Sequence, residues 1–242
     1  MARLKYSWSL PPEIEVRLGE TSYGPQRSIY EAEHLLIILH EPPQESERER
    51  KAILFLRRPD GSFHCNGHPH GESKLRGLLE RYRTLLSECE QLYESAMTAS
   101  DLFKLLEQLA PLNRSSTNLA SALQAAREYA RQDKFLISMR DESNEVSRSF
   151  DLLTADAKMA LDYRIAKNAE EQAERTEQMA EAQHKLNVLA AFTFPVMALA
   201  TLMGMNLTHG LENRSPVLFW SALGVGVVIG FIVKGWVMRS RP

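Results

Sequence analysis

Apolar residues fall along this chain of 242 residues in three successive patterns. In the first, Leu4 to Leu10, Glu13 to Leu18, His34 to His40 and Ala52 to Leu56 are short runs rich in β-branched, aromatic or aliphatic residues. Pro11, Pro12, Pro42, Pro43 and the triplet Pro59-Asp60-Gly61 punctuate them, which predicts strands separated by turns. Asp60-Gly61 is expected to turn a hairpin whose second strand is Ser62 to Asn66.

From Glu72 onward the period changes to that of a helix. Leu75, Leu78, Leu79, Tyr82, Leu85, Leu86, Cys89 and Leu92 recur at i, i+3, i+4 and i+7, the mark of an amphipathic helix. A second, short helix is expected near Leu102 to Leu109, ended by Pro111, because an interior proline lacks the N–H the helix needs. A further helix is expected to start after Ser115, Ser116 and Thr117, whose hydroxyls could cap free N–H groups.

The third pattern runs from Asp141 to Leu207, with no proline before Pro195 and no glycine before Gly204, and reads as one continuous helix. Its 67 residues would extend roughly 100 Å at ~1.5 Å each. Val146, Phe150, Leu153, Ala157 and Leu161 mark an apolar face, but between Ile165 and Leu186 the only large apolar side chain is Met179. Alanine, glutamate and glutamine dominate there, so the helix forms readily yet has little to bury, as expected of a wall repeated by symmetry around a wet axis.

Val188 to Met205 and Ser215 to Val233 carry no charge, and each can cross the ~30 Å hydrocarbon core of a bilayer. Arg175 and Lys185 precede the first, Lys234, Arg239 and Arg241 end the second, and the connection holds only Arg214. The positive-inside rule then puts both termini in the cytoplasm. Met1 to Pro12 has no apolar run between a basic start and a small-residue cleavage site, so no signal peptide is expected and the N-terminal part stays cytosolic.

Together these patterns predict an α+β membrane protein. A small β-rich cytosolic subdomain (residues 1–71) leads to a cytosolic helical region (72–140) and a stalk helix (141–186). The stalk continues into the first of two transmembrane helices (187–207), followed by an external loop (208–215), a second transmembrane helix (216–238) and a basic tail (239–242).

Composition refines this outline little. A formal charge of −2 and 44% apolar residues average over very different segments. Cys65 and Cys89, expected in a reducing compartment, are not expected to form a disulfide. From Asp141 to Leu186 there are 11 acidic and 6 basic residues, a net of −5 per chain, which would draw cations if several chains surrounded one axis.

The most informative stretch is residues 186 to 206, LNVLAAFTFPVMALATLMGMN, in which Pro195 lies nine positions before the triplet Gly204-Met205-Asn206. It resembles the first transmembrane helix of the CorA family of divalent-metal channels. The resemblance covers residues 141–242 in sequence and the rest in architecture only, the cytosolic part being shorter than is usual in that family. It implies a homopentamer in the inner membrane whose first span lines the pore, with Gly204, Met205 and Asn206 as a selectivity ring at the outer mouth. Magnesium suits such a ring because it is small and dehydrates reluctantly, so amide and carbonyl oxygens can bind its water shell without stripping it.

Helical steps inward from Asn206 along one face reach Thr201, Met197, Phe194, Ala190, Leu186 and Gln183. Thr201 can touch a hydrated ion, whereas Met197, Phe194 and Leu186 offer apolar rings that block conduction by dewetting. The resemblance puts Phe194 and Leu186 at gate positions. Two features depart from the family: Gln183 stands where a larger apolar residue is usual, and the loop holds Arg214 beside Glu212. Gly224, Gly226 and Gly230 are expected to let the second span approach the first closely.

The resemblance further implies regulation by cytosolic Mg²⁺ held between subunits by carboxylates, with Glu145 and Asp151 as candidate ligands. His64, Cys65, His68 and His70 are a separate set of nitrogen and sulfur ligands suited to Zn²⁺, Co²⁺ or Ni²⁺, although their spacing matches no established zinc motif. No phosphate-binding loop of the Walker type is present, so no enzyme activity is expected. The expected cargo is Mg²⁺, with Co²⁺ or Ni²⁺ as further candidates and no resident cofactor. The expected partners are further copies of the chain, membrane lipid and divalent metal ions, and no nucleic acid. The alternatives are a Zn²⁺ transporter of the same superfamily and a non-conducting membrane-anchored scaffold or signalling protein.

Overall fold

A computed structural model describes residues 10–19, 22–44, 51–66, 68–204 and 216–239. The chain divides into two compact units, Met1–Ala166 and Lys167–Pro242.

In the first unit a four-stranded antiparallel meander is formed by β1 (Arg27–Glu31), β2 (His34–His40), β3 (Ala52–Arg57) and β4 (Phe63–Cys65), in that spatial order. The run Leu35 to Leu39 does not alternate with polar residues because both faces of β2 are covered. Leu35, Ile37 and Leu39 enter a large core shared with the helices, whereas Leu36 and Ile38 pack with Leu10, Ile14 and Leu18 on the other face. The Asp60-Gly61 hairpin forms as expected: Gly61 takes φ +84°, and Asp60 Oδ1 accepts from the backbone N–H of Ser62 at 2.8 Å.

The sequence reading departs from the structure at four places. Glu13 to Leu18 is not a strand: Pro12–Glu15 forms the single-turn helix α1 and the following residues continue as turns. Pro12 sits where a helix needs no N–H donor, and Leu10, Ile14 and Leu18 recur every fourth residue, so a helical turn presents all three to the sheet. Strand β1 was not anticipated, since its turn into β2 uses Ala32 and Glu33, both at positive φ, instead of glycine or asparagine. The expected strand Leu4 to Leu10 lies, except for Leu10, outside the described residues.

The third departure is α3 (Ala99–Tyr129), which follows α2 (Gly71–Ser95) and runs straight through Pro111. The proline leaves the carbonyl of Glu107 without its helix partner, but Glu107 is exposed, so water can satisfy it. An interior proline costs ~3 kcal/mol. Leu105, Leu109, Leu112, Leu119 and Leu123 are all buried, and each contributes about 1.5–3 kcal/mol, so burial outweighs the break. Ser115 and Ser116 are correspondingly not caps. Both are fully buried, and Ser115 joins Tyr82 of α2 (Oγ to OH, 2.8 Å) to Gln26, whose amide donates to the Ser115 carbonyl at 2.9 Å. The true cap of α3 is Thr98, which exchanges hydrogen bonds with Asp101 in a capping box.

The fourth departure is the start of α4, which spans Lys134–Gly204 and begins seven residues before the expected Asp141. Asp133 starts it: Oδ1 accepts from the N–H groups of Phe135 (3.0 Å) and Leu136 (3.2 Å), while Oδ2 pairs with Arg57 Nε of β3 at 2.7 Å. The face foreseen for this helix, Val146, Phe150, Leu153, Ala157 and Leu161, is buried throughout.

The second unit comprises the rest of α4 from Lys167 and α5 (Pro216–Arg239). Within it, Phe192 and Phe231 meet edge to face at 5.2 Å between centroids. Gly226 and Gly230 lie against α4: a Cβ on Gly226 would come 2.8 Å from Leu199 Cδ1, and one on Gly230 would come 2.9 Å from the Phe192 carbonyl oxygen. Gly224, expected to serve likewise, faces open space.

Candidate functional site

Helix α4 is the element that positions the candidate conducting residues. Among the described residues it is the one helix long and apolar enough to cross a membrane, and α5 contains a shorter apolar stretch, Leu223–Trp236. Gly204 is the last residue of α4; Met205 and Asn206 lie outside the described residues.

Of the remaining members of the expected pore face, Gln183, Leu186, Phe194, Met197 and Thr201 are exposed in the single chain and Ala190 is half-buried. Leu186, Phe194 and Met197 expose 65%, 67% and 61% of their surface in the single chain. The face of α4 that meets α5 is a different one, carried by Phe192, Val196 and Leu199. At ~100° per residue the two faces point roughly 160° apart around the helix. Thr201 Oγ1 donates to the Met197 carbonyl at 2.8 Å, which leaves the hydroxyl oxygen able to accept, or to be approached by a hydrated cation.

The other candidates are not brought together. Glu145 and Asp151 are exposed on the part of α4 that belongs to the first unit, and neither makes an ion pair with a described residue. Six residues apart on a helix, they point to different sides. Any ion bound by both would need carboxylates from another chain.

His64, Cys65, His68 and His70 do not form a metal centre, and no group of three or more potential ligands gathers among the described residues. The physical reason is strand alternation. Cys65 points into the helical core beside Phe63, His64 points the other way with Nε2 3.2 Å from Ser62 Oγ, and His68 and His70 are exposed. Burial pushes the Cys65 thiol up to about 11. Burial also raises the Cys89 thiol.

One constellation escaped the sequence reading. Asn113 and Arg114 of α3 and Lys158 of α4 border a single groove in the first unit, and the only trace of it in the sequence is polar residues recurring at helical spacing.

No family model and no curated protein matches the chain. The structure of the full-length CmaX protein does, with a TM-score of 0.57 at 17% identity over 96% of this chain and 82% of that one. The chain has the fold of CmaX. A CorA magnesium transporter from Methanocaldococcus jannaschii aligns over 95% of this chain and 83% of its own with 16% identity, but its TM-score of 0.40 is too low to bear on the argument. The likeness to CmaX takes in both compact units, so the order of meander, helical pair, long helix and terminal helix is a shared architecture.

Proposed function

We propose that this chain is a subunit of a CorA-type channel that passes hydrated Mg²⁺, and with it Co²⁺ or Ni²⁺, across the inner membrane. Both termini lie in the cytoplasm. Five copies surround one axis, α4 lines the pore and α5 faces lipid as the second span. The observation that carries this reading is the pair of opposed faces on α4. One packs on α5 through Phe192, Val196 and Leu199, and the other presents Gln183, Leu186, Phe194, Met197 and Thr201 to a surface that the single chain does not supply.

In this arrangement Gly204, Met205 and Asn206 ring the outer mouth and bind the ion through its water shell, which a small, tightly hydrated cation retains. Thr201 is the next polar stop. Rings of Met197, Phe194 and Leu186 close the pore when they dewet and open it when they separate. The acidic excess along the cytosolic part of α4 concentrates cations at the inner end. A potential of 100 mV, negative inside, supplies about 4.6 kcal/mol per divalent ion at ~2.3 kcal/mol per charge, so no chemical energy source is required. Glu145 and Asp151 of neighbouring copies are the proposed regulatory ligands.

The test is influx of Mg²⁺ into liposomes that hold the purified protein and an internal dye, under an inside-negative potential. The natural sequence is expected to conduct and Asn206→Ala to lose conduction while still assembling. Equal flux from both would remove the selectivity ring from the proposal. Absence of flux from correctly assembled natural protein would remove Mg²⁺ conduction, and the same liposomes would then be tried with Zn²⁺ and Co²⁺.

A further inference from the structure

A groove of about 380 Å³ runs between α3 and α4 within the first unit, away from every residue assigned above to ion passage. Its volume falls in the range of small-molecule sites, ~300–1,000 Å³. Leu106 and Ala110 form its apolar part. Two cations border it, Arg114 from α3 and Lys158 from α4, and neither is engaged in an ion pair with a described residue. Of the positions three or four residues away, those that line the groove are Ala110, Thr117, Asn118 and Thr154, all uncharged, and Asp162, four residues beyond Lys158, neither lines the groove nor pairs with that lysine.

The neutral lining specifies more than charge. Asn113 Oδ1 is a buried acceptor with no hydrogen-bond partner, a state that costs about 1–3 kcal/mol if nothing fills it. Thr154 Oγ1 already donates to the Phe150 carbonyl at 2.7 Å, and Thr117 Oγ1 donates to the Asn113 carbonyl at 2.9 Å. Both hydroxyls therefore have only acceptor capacity left to offer. The groove thus presents positive charge at its rim and acceptors inside, with a small apolar wall. A bare inorganic dianion would satisfy the first requirement and not the second.

We propose that this groove binds a small phosphate monoester bearing free hydroxyls, with the phosphate between Arg114 and Lys158 and a hydroxyl donating to Asn113 Oδ1. A guanidinium and an ammonium suit a phosphate by charge and donor number. A polyol supplies donors to Asn113 Oδ1 and to the Thr117 and Thr154 oxygens, and its own oxygens can accept from the amide N–H groups of Asn113 and Asn118. The same chemistry occurs in a soluble metabolite and in a lipid headgroup, and the test separates them.

Full-length protein in detergent is titrated by calorimetry with glycerol 3-phosphate and with inorganic sulfate, and flotation with vesicles of phosphatidylcholine with and without lysophosphatidic acid, a phosphate monoester that keeps a free hydroxyl, provides the lipid arm. Saturable binding of glycerol 3-phosphate, weakened at least tenfold by Arg114→Gln, by Lys158→Gln and by Asn113→Ala, is expected. Sulfate should bind at least tenfold more weakly. Lys104→Gln, an exposed cation of α3 outside the groove, should leave the affinity unchanged. Binding confined to lysophosphatidic acid vesicles and lost in the same variants would make the headgroup the source. No saturable binding to either form, or binding indifferent to the three groove substitutions in variants whose circular dichroism matches the natural protein, overturns the proposal. Ion flux is not the readout, so failure of the channel reading would leave this result standing.

Discussion

Asp101 shows how much a single side chain organises in this protein. Its carboxylate accepts from the Thr98 hydroxyl at 2.7 Å and from the backbone N–H groups of Thr98 and Met97 at 2.8 and 3.2 Å, fixing the turn between α2 and α3. The Thr98 side chain first, and its backbone second, hold the Asp101 carboxyl below its ordinary value of 3.8. A depressed acid contributes stability above its unfolded value and loses that contribution as pH falls through the folded one. Asp101→Asn is therefore expected to melt below the natural protein at pH 7, with the gap closing once the pH drops beneath about 3.8. Thermal unfolding of both proteins across that range checks it; a gap that persists unchanged at low pH would mean the carboxylate's charge is not what holds the turn. Of the residues at this scale, the turn at Asp60-Gly61 was legible from its dipeptide alone. The capping pair Thr98 and Asp101 was equally open to reading, as a threonine three residues before an aspartate, but the proline at 111 drew attention to the wrong boundary.

At the scale of elements, α4 and α5 are held by a close approach that only two of three glycines serve. Gly226 and Gly230 are four residues apart on one face and both abut α4, whereas Gly224 lies off that face. Gly230→Leu must push against a backbone carbonyl, which cannot rotate away, so it is expected to separate the helices and lower the melting temperature in detergent. Gly224→Leu should leave the melt unchanged. Equal effects of the two substitutions would show that helix propensity, and not the close approach, governs this pair. The sequence could not distinguish the three glycines because their spacing permits either face. The buried face of α4 was legible from periodicity, since Val146, Phe150, Leu153, Ala157 and Leu161 each repeat the helical step. Strand β1 was not, because Arg27, Ser28 and Glu31 are polar and its pairing depends on β2.

For the molecule as a whole, the proposed pore requires several chains around one axis. Leu186, Leu189, Phe194, Met197 and Leu202 are each more than half exposed in the single chain. Native mass spectrometry of the detergent-solubilised protein is expected to show five chains. A monomer would refute the shared axis and with it the pore. The apolar stretches were legible because length and absence of charge are properties of the sequence itself, whereas five chains with a ring at Gly204-Met205-Asn206 are what the resemblance to the CorA family implies.

Periodicity and composition by themselves determined the meander's central strand, the helical period of α2 and α4 and the apolar C-terminal stretches. Each depends on residues a few positions apart, where backbone geometry alone dictates which side chains share a face. Tertiary structure decided the rest: that α3 survives Pro111, that Ser115 and Ser116 are buried partners and not caps, that Cys65 and His64 face apart, and which glycines touch a neighbour. Those outcomes turn on contacts such as that between Gln26 and Ser115, 89 residues apart, whose free energy of burial outweighs the local preference of either segment.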